Sequence, residues 1–252
     1  MKTLLRLCAL FVATAALASC ASLGQLGETP RVLIFSHSTG YRHASIEPGV
    51  AAVRAMAERK GYEVVATEDP NVFSEAGLAG VDAIVLVSIT TKPDDPSSEW
   101  FTGDRRTAFE AFVHRGGGVV GIHAASDSHY HWPWYGRMIG GYFTSHPPGT
   151  PTGNVRIVDH RHPSTAALPD SLSRTDEWYY IKDYNPEMRL LAVLDPASIG
   201  EADVNPNPMS WAHEFEGGRV FYTAMGHTAE SYAEPAFLTH LEGGLDWVLR
   251  RR

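Results

Sequence analysis

Short apolar runs alternate with amphipathic stretches along most of this chain. Residues 31–36 (RVLIFS), 62–66 (YEVVA) and 81–87 (VDAIVLV) are compact apolar segments bounded by turn residues, and they read as strands. Between the first two, Ser45 is placed to cap a helix running through Val50, Val53, Met56 and Ala57 and ending at Gly61. Residues 102–115 set Phe109, Phe112 and Val113 on one face of a second helix, and 116–123 (GGGVVGIH) form a glycine-led buried strand. Strands that are apolar throughout and separated by helices predict a parallel sheet covered on both faces. The pattern then changes. Segments 154–158, 188–194, 208–214 and 219–225 are strand-like, the last two joined across Glu216-Gly217-Gly218 as a hairpin, and 234–250 closes the chain as a helix. The expected fold is α/β: a flavodoxin-like three-layer sandwich, mostly parallel, with an antiparallel C-terminal extension.

The ends modify this picture. Lys2 and Arg6 precede or flank an apolar run (residues 7–13), and small residues lead to Leu17-Ala18-Ser19-Cys20. That is the layout of a secretory signal, too short to be a stable membrane span. Its last four residues resemble the bacterial lipobox, which implies cleavage before Cys20 and acylation of that cysteine. The expected organisation is a signal peptide over 1–19, a lipidated tether over 20–30 and one domain over 31–252. The expected location is outside the cytoplasm, anchored to the lipid bilayer of the cell envelope (outer membrane or periplasm in a Gram-negative host).

Cys8 and Cys20 are the two cysteines of the chain. Cleavage removes one and acylation consumes the other, so the mature domain has no thiol for a disulfide, a thiolate metal site or nucleophilic attack. The formal net charge is −8, with no basic run, which argues against nucleic acid as a partner.

Polar residues fall where an open parallel sheet binds ligands, beyond the carboxyl ends of its strands. His37 and Gly40-Tyr41-Arg42-His43 follow the first strand; His123, Ser126, Asp127, His129 and His131 follow the glycine-led one. Glu177 and Trp178 follow a Thr-Asp pair, His213 and Glu214 close one strand, His227 follows another, and His146 lies in a loop. Twelve histidines is a high count, and imidazole serves as acid, base and metal ligand near neutral pH. His114, His160, His162 and His240 read as surface or turn residues.

The strings Gly117–Asp127 (GGVVGIHAASD), Trp132–Gly136 (WPWYG), Tyr142–Pro147 (YFTSHP), Asp176–Tyr179 (DEWY), Gly226–Tyr232 (GHTAESY) and Gly40–Ile46 (GYRHASI) resemble the ThuA-like, trehalose-utilisation family, in order over about residues 31–250. The resemblance implies a fold related to class I glutamine amidotransferases and a link to trehalose and other disaccharides, through 3-keto-sugars. In amidotransferase relatives the strand before residue 123 delivers a cysteine on a tight turn. Here Gly121-Ile122-His123 presents an imidazole, so thioester chemistry is excluded. Ser126 lacks a G-x-S-x-G setting, and no G-x-G-x-x-G follows the first strand.

Two roles for His123 stay open. As a general acid or base it would move a proton next to a sugar carbonyl. As a ligand it would join other histidines and a carboxylate around zinc or a similar ion. The candidate catalytic set is His123, His43, Glu177 and His227. Arg42, Trp134, Tyr135, Trp178 and Tyr179 are candidates for holding a sugar, since flat faces beside hydrogen-bonding groups suit sugar rings. His146 and His213 are candidate metal ligands, with His123 and His227. The expectation is an exported enzyme on a sugar or keto-sugar (isomerase, lyase or hydrolase); the rival is a lipid-anchored carbohydrate-binding protein without turnover.

Overall fold

The computed structural model describes residues 29–201 and 207–250. The expected signal peptide, Cys20 and nearly all of the expected tether lie outside these residues. In chain order the main elements are β1 (Arg31–Phe35), α1 (Ile46–Arg59), β2 (Glu63–Thr67), β3 (Ala83–Val87), α2 (Asp104–His114), β4 (Gly118–Ile122), α3 (Pro133–Ile139), β5 (Tyr142–Ser145), β6 (Thr152–Ile157), β7 (Ser171–Thr175), β8 (Tyr180–Lys182), β9 (Arg189–Asp195), β10 (Asn207–Phe215), β11 (Gly218–Thr223) and α4 (Pro235–Val248).

One nine-stranded sheet runs β2-β1-β3-β4-β11-β10-β9-β6-β7. The first five strands pair in parallel, as their apolar sequences require, and every residue of β3 and β4 is buried. From β11 onward the pairing is antiparallel. This half takes in β6, expected over 154–158, and β7, which the sequence pattern did not mark. A small second sheet pairs β5 with β8.

Helices cover both faces. Successive strand residues point to opposite sides. A Cβ on Gly118 would meet Val248 of α4, whereas one on Gly121 would meet Ile139 of α3. The two helices therefore pack on opposite faces, giving three layers. Ser45 does not cap α1: its side chain makes no capping bond, and its Oγ is buried without a partner. Gly61 does end the helix, at φ 77°. His162 and His240, expected at the surface, are fully buried. Their ring nitrogens reach the Ser164 hydroxyl (His162), the Ser164 carbonyl and the Ser210 hydroxyl (His240), so they belong to a core polar network.

Candidate functional site

Four segments converge beyond the carboxyl ends of β1, β4 and β11. β4 ends on a turn at His123, whose φ of 49° is a left-handed conformation that costs a non-glycine residue about 1–3 kcal/mol. The turn aims the imidazole back over the sheet. There His123 Nδ1 lies 2.8 Å from the carbonyl of Ala224. A carbonyl only accepts, so Nδ1 carries the proton and Nε2 presents its lone pair.

That lone pair faces His227 Nδ1 at 3.1 Å and Glu177 Oε2 at 3.5 Å, and His227 Nδ1 is itself 3.1 Å from Glu177 Oε2. His43, from the loop after β1, stands edge-on to both imidazoles, at 4.8 and 5.2 Å between ring centres. One ligand atom from each of His43, His123, Glu177 and His227 lies within 4.8 Å of the other three. These four are the residues among those described that could hold a metal ion together. Buried Asp176 fixes the far wall: its carboxylate accepts the backbone N–H groups of Gly226 and His227 at 2.8 and 2.9 Å and pairs with buried Arg174 at 3.2 Å.

The electrostatics follow from this packing. Burial, then the neighbouring His123 and His227, pushes His43 down to about 3, so it is neutral. Burial acts to raise Glu177, but the neighbouring His123 and His227 outweigh it and hold the carboxyl well below its usual range. The Glu177 hydrogen bond raises His227.

Above the cluster opens a pocket of about 440 Å³ lined by Tyr41, His43, Asp127, Phe143, His146, Glu177, Tyr179 and His227. Tyr179 lies against His123 (4.3 Å between ring centres) and Phe143 (4.2 Å). Asp127 is the second carboxylate of the lining. Its Oδ1 accepts the Tyr130 hydroxyl at 2.5 Å, while Oδ2 has no protein partner among the described residues. Burial pushes Asp127 up to about 6.

The structure brings His43, His123, Glu177, His227 and Tyr179 together, although His123 is fully buried and does not line the pocket. His146 stands one step outside the cluster, its Nε2 3.3 Å from the other oxygen of Glu177. His213 is elsewhere. β10 runs antiparallel to β11, so His213 pairs with Val220, away from the β11 end that leads to His227, and it bonds the Met138 carbonyl at 2.8 Å. Trp134 is also remote, bonded to Glu216 and stacked on Trp132. Tyr135 and Trp178 are fully buried, bonded to the carbonyls of Ala125 and Pro151. Arg42 spends its guanidinium on Glu47 and Glu68 at 2.6–3.0 Å. Tyr41, Phe143 and Asp127 line the pocket without having been singled out as ligand-holding residues. Asp127 had been noted among the polar residues after the glycine-led strand, Tyr41 stood beside His43, and Phe143 lay within the YFTSHP string.

Residues 31–248 match the model of the ThuA family, described as trehalose utilisation. The chain belongs to the ThuA family. Solved structures agree on the fold. A Bacteroides uniformis protein described as ThuA-like superposes with a TM-score of 0.72 at 24% identity, covering 88% of this chain and 92% of that one. A second, from Parabacteroides merdae, gives 0.70 at 18% identity over 88% and 90%. A Thermoplasma acidophilum protein described as belonging to a GMP synthase gives 0.52 at 12% identity over 87% and 96%. Among curated proteins, none matches the chain. In this ThuA-family chain the turn after β4 carries an imidazole, with His123 at φ 49°.

Proposed function

We propose that this ThuA-family chain is an exported enzyme of carbohydrate metabolism, acting on a disaccharide or keto-sugar in the pocket beyond β4 and β11. The observation that carries this is the pocket lining itself: three aromatic rings (Tyr41, Phe143, Tyr179) facing a group of imidazoles and carboxylates. Its volume, about 440 Å³, is at the smaller end for ligand sites and suits a sugar held at one ring. Asp127 is the group suited to proton transfer. One of its oxygens is held by Tyr130, the other is free of protein partners among the described residues, and its pKa of about 6 lets it give or take a proton near neutrality. His146, also in the lining, is the second group placed to move a proton. His123, enclosed behind the lining, acts on a ligand through His227 and Glu177.

The test is turnover of disaccharides and their 3-keto forms by the purified chain, followed by NMR of the sugar. Turnover that falls by about 10²–10⁴ in Asp127→Asn supports this reading. Full activity in that variant removes Asp127 from the chemistry, and saturable binding with no turnover of any sugar makes the protein a binder.

A further inference from the structure

We propose that His123 Nε2, His227 Nδ1 and Glu177 Oε2, completed by His43, hold a divalent transition-metal ion of the zinc type on the floor of the pocket. Its catalytic role rests on the sugar-enzyme reading above; its existence rests on geometry alone.

The three atoms form a triangle with edges of 3.1, 3.1 and 3.5 Å. Metal–ligand bonds of about 2.0–2.1 Å in tetrahedral geometry put neighbouring ligand atoms about 3.3 Å apart. The triangle is therefore already the size of one face of such a site. The protonation pattern agrees. His123 Nδ1 donates to Ala224, which leaves its lone pair aimed at the other two atoms. His227 Nδ1 has two acceptors at equal distance, His123 Nε2 and Glu177 Oε2, and a single N–H cannot point well at both. A cation at the centre satisfies all three lone pairs together.

An independent observation points the same way. His43 is 97% buried, its Nδ1 has no hydrogen-bond partner, and the ring packs against both His123 and His227. One nitrogen of that ring lies within 4.8 Å of the ligand atoms of His123, Glu177 and His227, so His43 is placed to complete the set. The supporting shell is of the kind metal sites use: a backbone carbonyl orients His123, and Asp176, held by Arg174, fixes the His227 backbone. Three imidazoles and one carboxylate favour zinc, iron(II), cobalt or nickel over calcium or magnesium, which prefer all-oxygen sets. His43, Glu177 and His227 all line the pocket, so an ion there is open to a sugar hydroxyl or carbonyl.

The experiment titrates the chelator-stripped full chain with zinc chloride against a chromogenic chelator, without sugar. One zinc per chain is expected. Glu177→Gln and His227→Gln each should weaken it about a hundredfold or more, and His213→Gln should leave it unchanged. Because ligand variants can lose stability, cobalt loading of the wild type gives a second readout that needs no substitution: visible absorption of a low-coordinate site with nitrogen and oxygen ligands. No stoichiometric zinc, no such cobalt spectrum, or zinc affinity indifferent to Glu177→Gln and His227→Gln in folded protein overturns the proposal. Zinc binding without sugar turnover leaves the metal site standing and removes the sugar reading. Turnover by protein that binds no zinc does the reverse.

Discussion

Asp127→Asn should make the protein more stable at pH 8 while disabling it. Burial raises the Asp127 carboxyl from 3.8 to about 6 in the folded chain, whereas the unfolded chain ionises it near 3.8. Between those values the native state holds the proton that the unfolded state has released. Stability therefore falls as pH rises through about 4–6, and above pH 6 the native state bears the full cost of an ionised, half-buried carboxylate. At about 1.4 kcal/mol per pH unit, that cost is about 3 kcal/mol at most. Asparagine never ionises, and its amide oxygen can still accept the Tyr130 hydroxyl, so the variant keeps that hydrogen bond and escapes the cost. Urea unfolding of both proteins in chelator, at pH 4 and pH 8, reads the effect, because titrating groups that do not interact with Asp127 cancel in the difference. The variant should gain about 2 kcal/mol on the wild type between the two pH values. A difference that does not change with pH, or that moves the other way, would refute the assignment of Asp127 as a carboxyl held near pKa 6. Greater stability with less activity is the expected signature of a group kept strained for chemistry.

Other consequences of the geometry can be checked separately. Asp176→Asn breaks a buried pair with Arg174, so it should destabilise the chain by about 3–5 kcal/mol in urea and lower zinc affinity by releasing the His227 backbone. Gly226→Ala forces a Cβ onto a residue at φ 110°, 2.9 Å from the Tyr232 hydroxyl, and should cost about 1–3 kcal/mol by thermal melt. Tyr41 is 67% exposed, so Tyr41→Ala should change stability by less than about 0.5 kcal/mol yet raise KM for sugar. Trp134→Ala should leave KM unchanged, because that ring packs on Trp132 and Phe215 away from the pocket.

The apolar runs carried the parallel half of the sheet, because a strand buried on both faces needs a continuous apolar stretch. α3, β5, β7 and β8 had no such signature: they are short, half-exposed or built of residues such as Ser171–Thr175 (SLSRT). The rule that ligands sit beyond strand carboxyl ends located His43, His123 and His227, since β1, β4 and β11 are parallel neighbours or near-neighbours. It misplaced His213 for the same physical reason, because the carboxyl end of an antiparallel strand points to the opposite edge. Aromatic content could not separate Tyr179, which lines the pocket, from Tyr135 and Trp178, which fill the core. Arg42 drew notice by its charge, but that charge is already paired with Glu47 and Glu68.

The most direct measurement is a crystal structure of the chain soaked with a disaccharide or its keto form. A sugar ring is expected between Tyr41, Phe143 and Tyr179, with a hydroxyl or carbonyl within hydrogen-bond distance of Asp127. A sugar seated instead in the cleft lined by Arg137, Asn185 and His213, or an empty pocket at concentrations that support turnover, would contradict the placement of the working site.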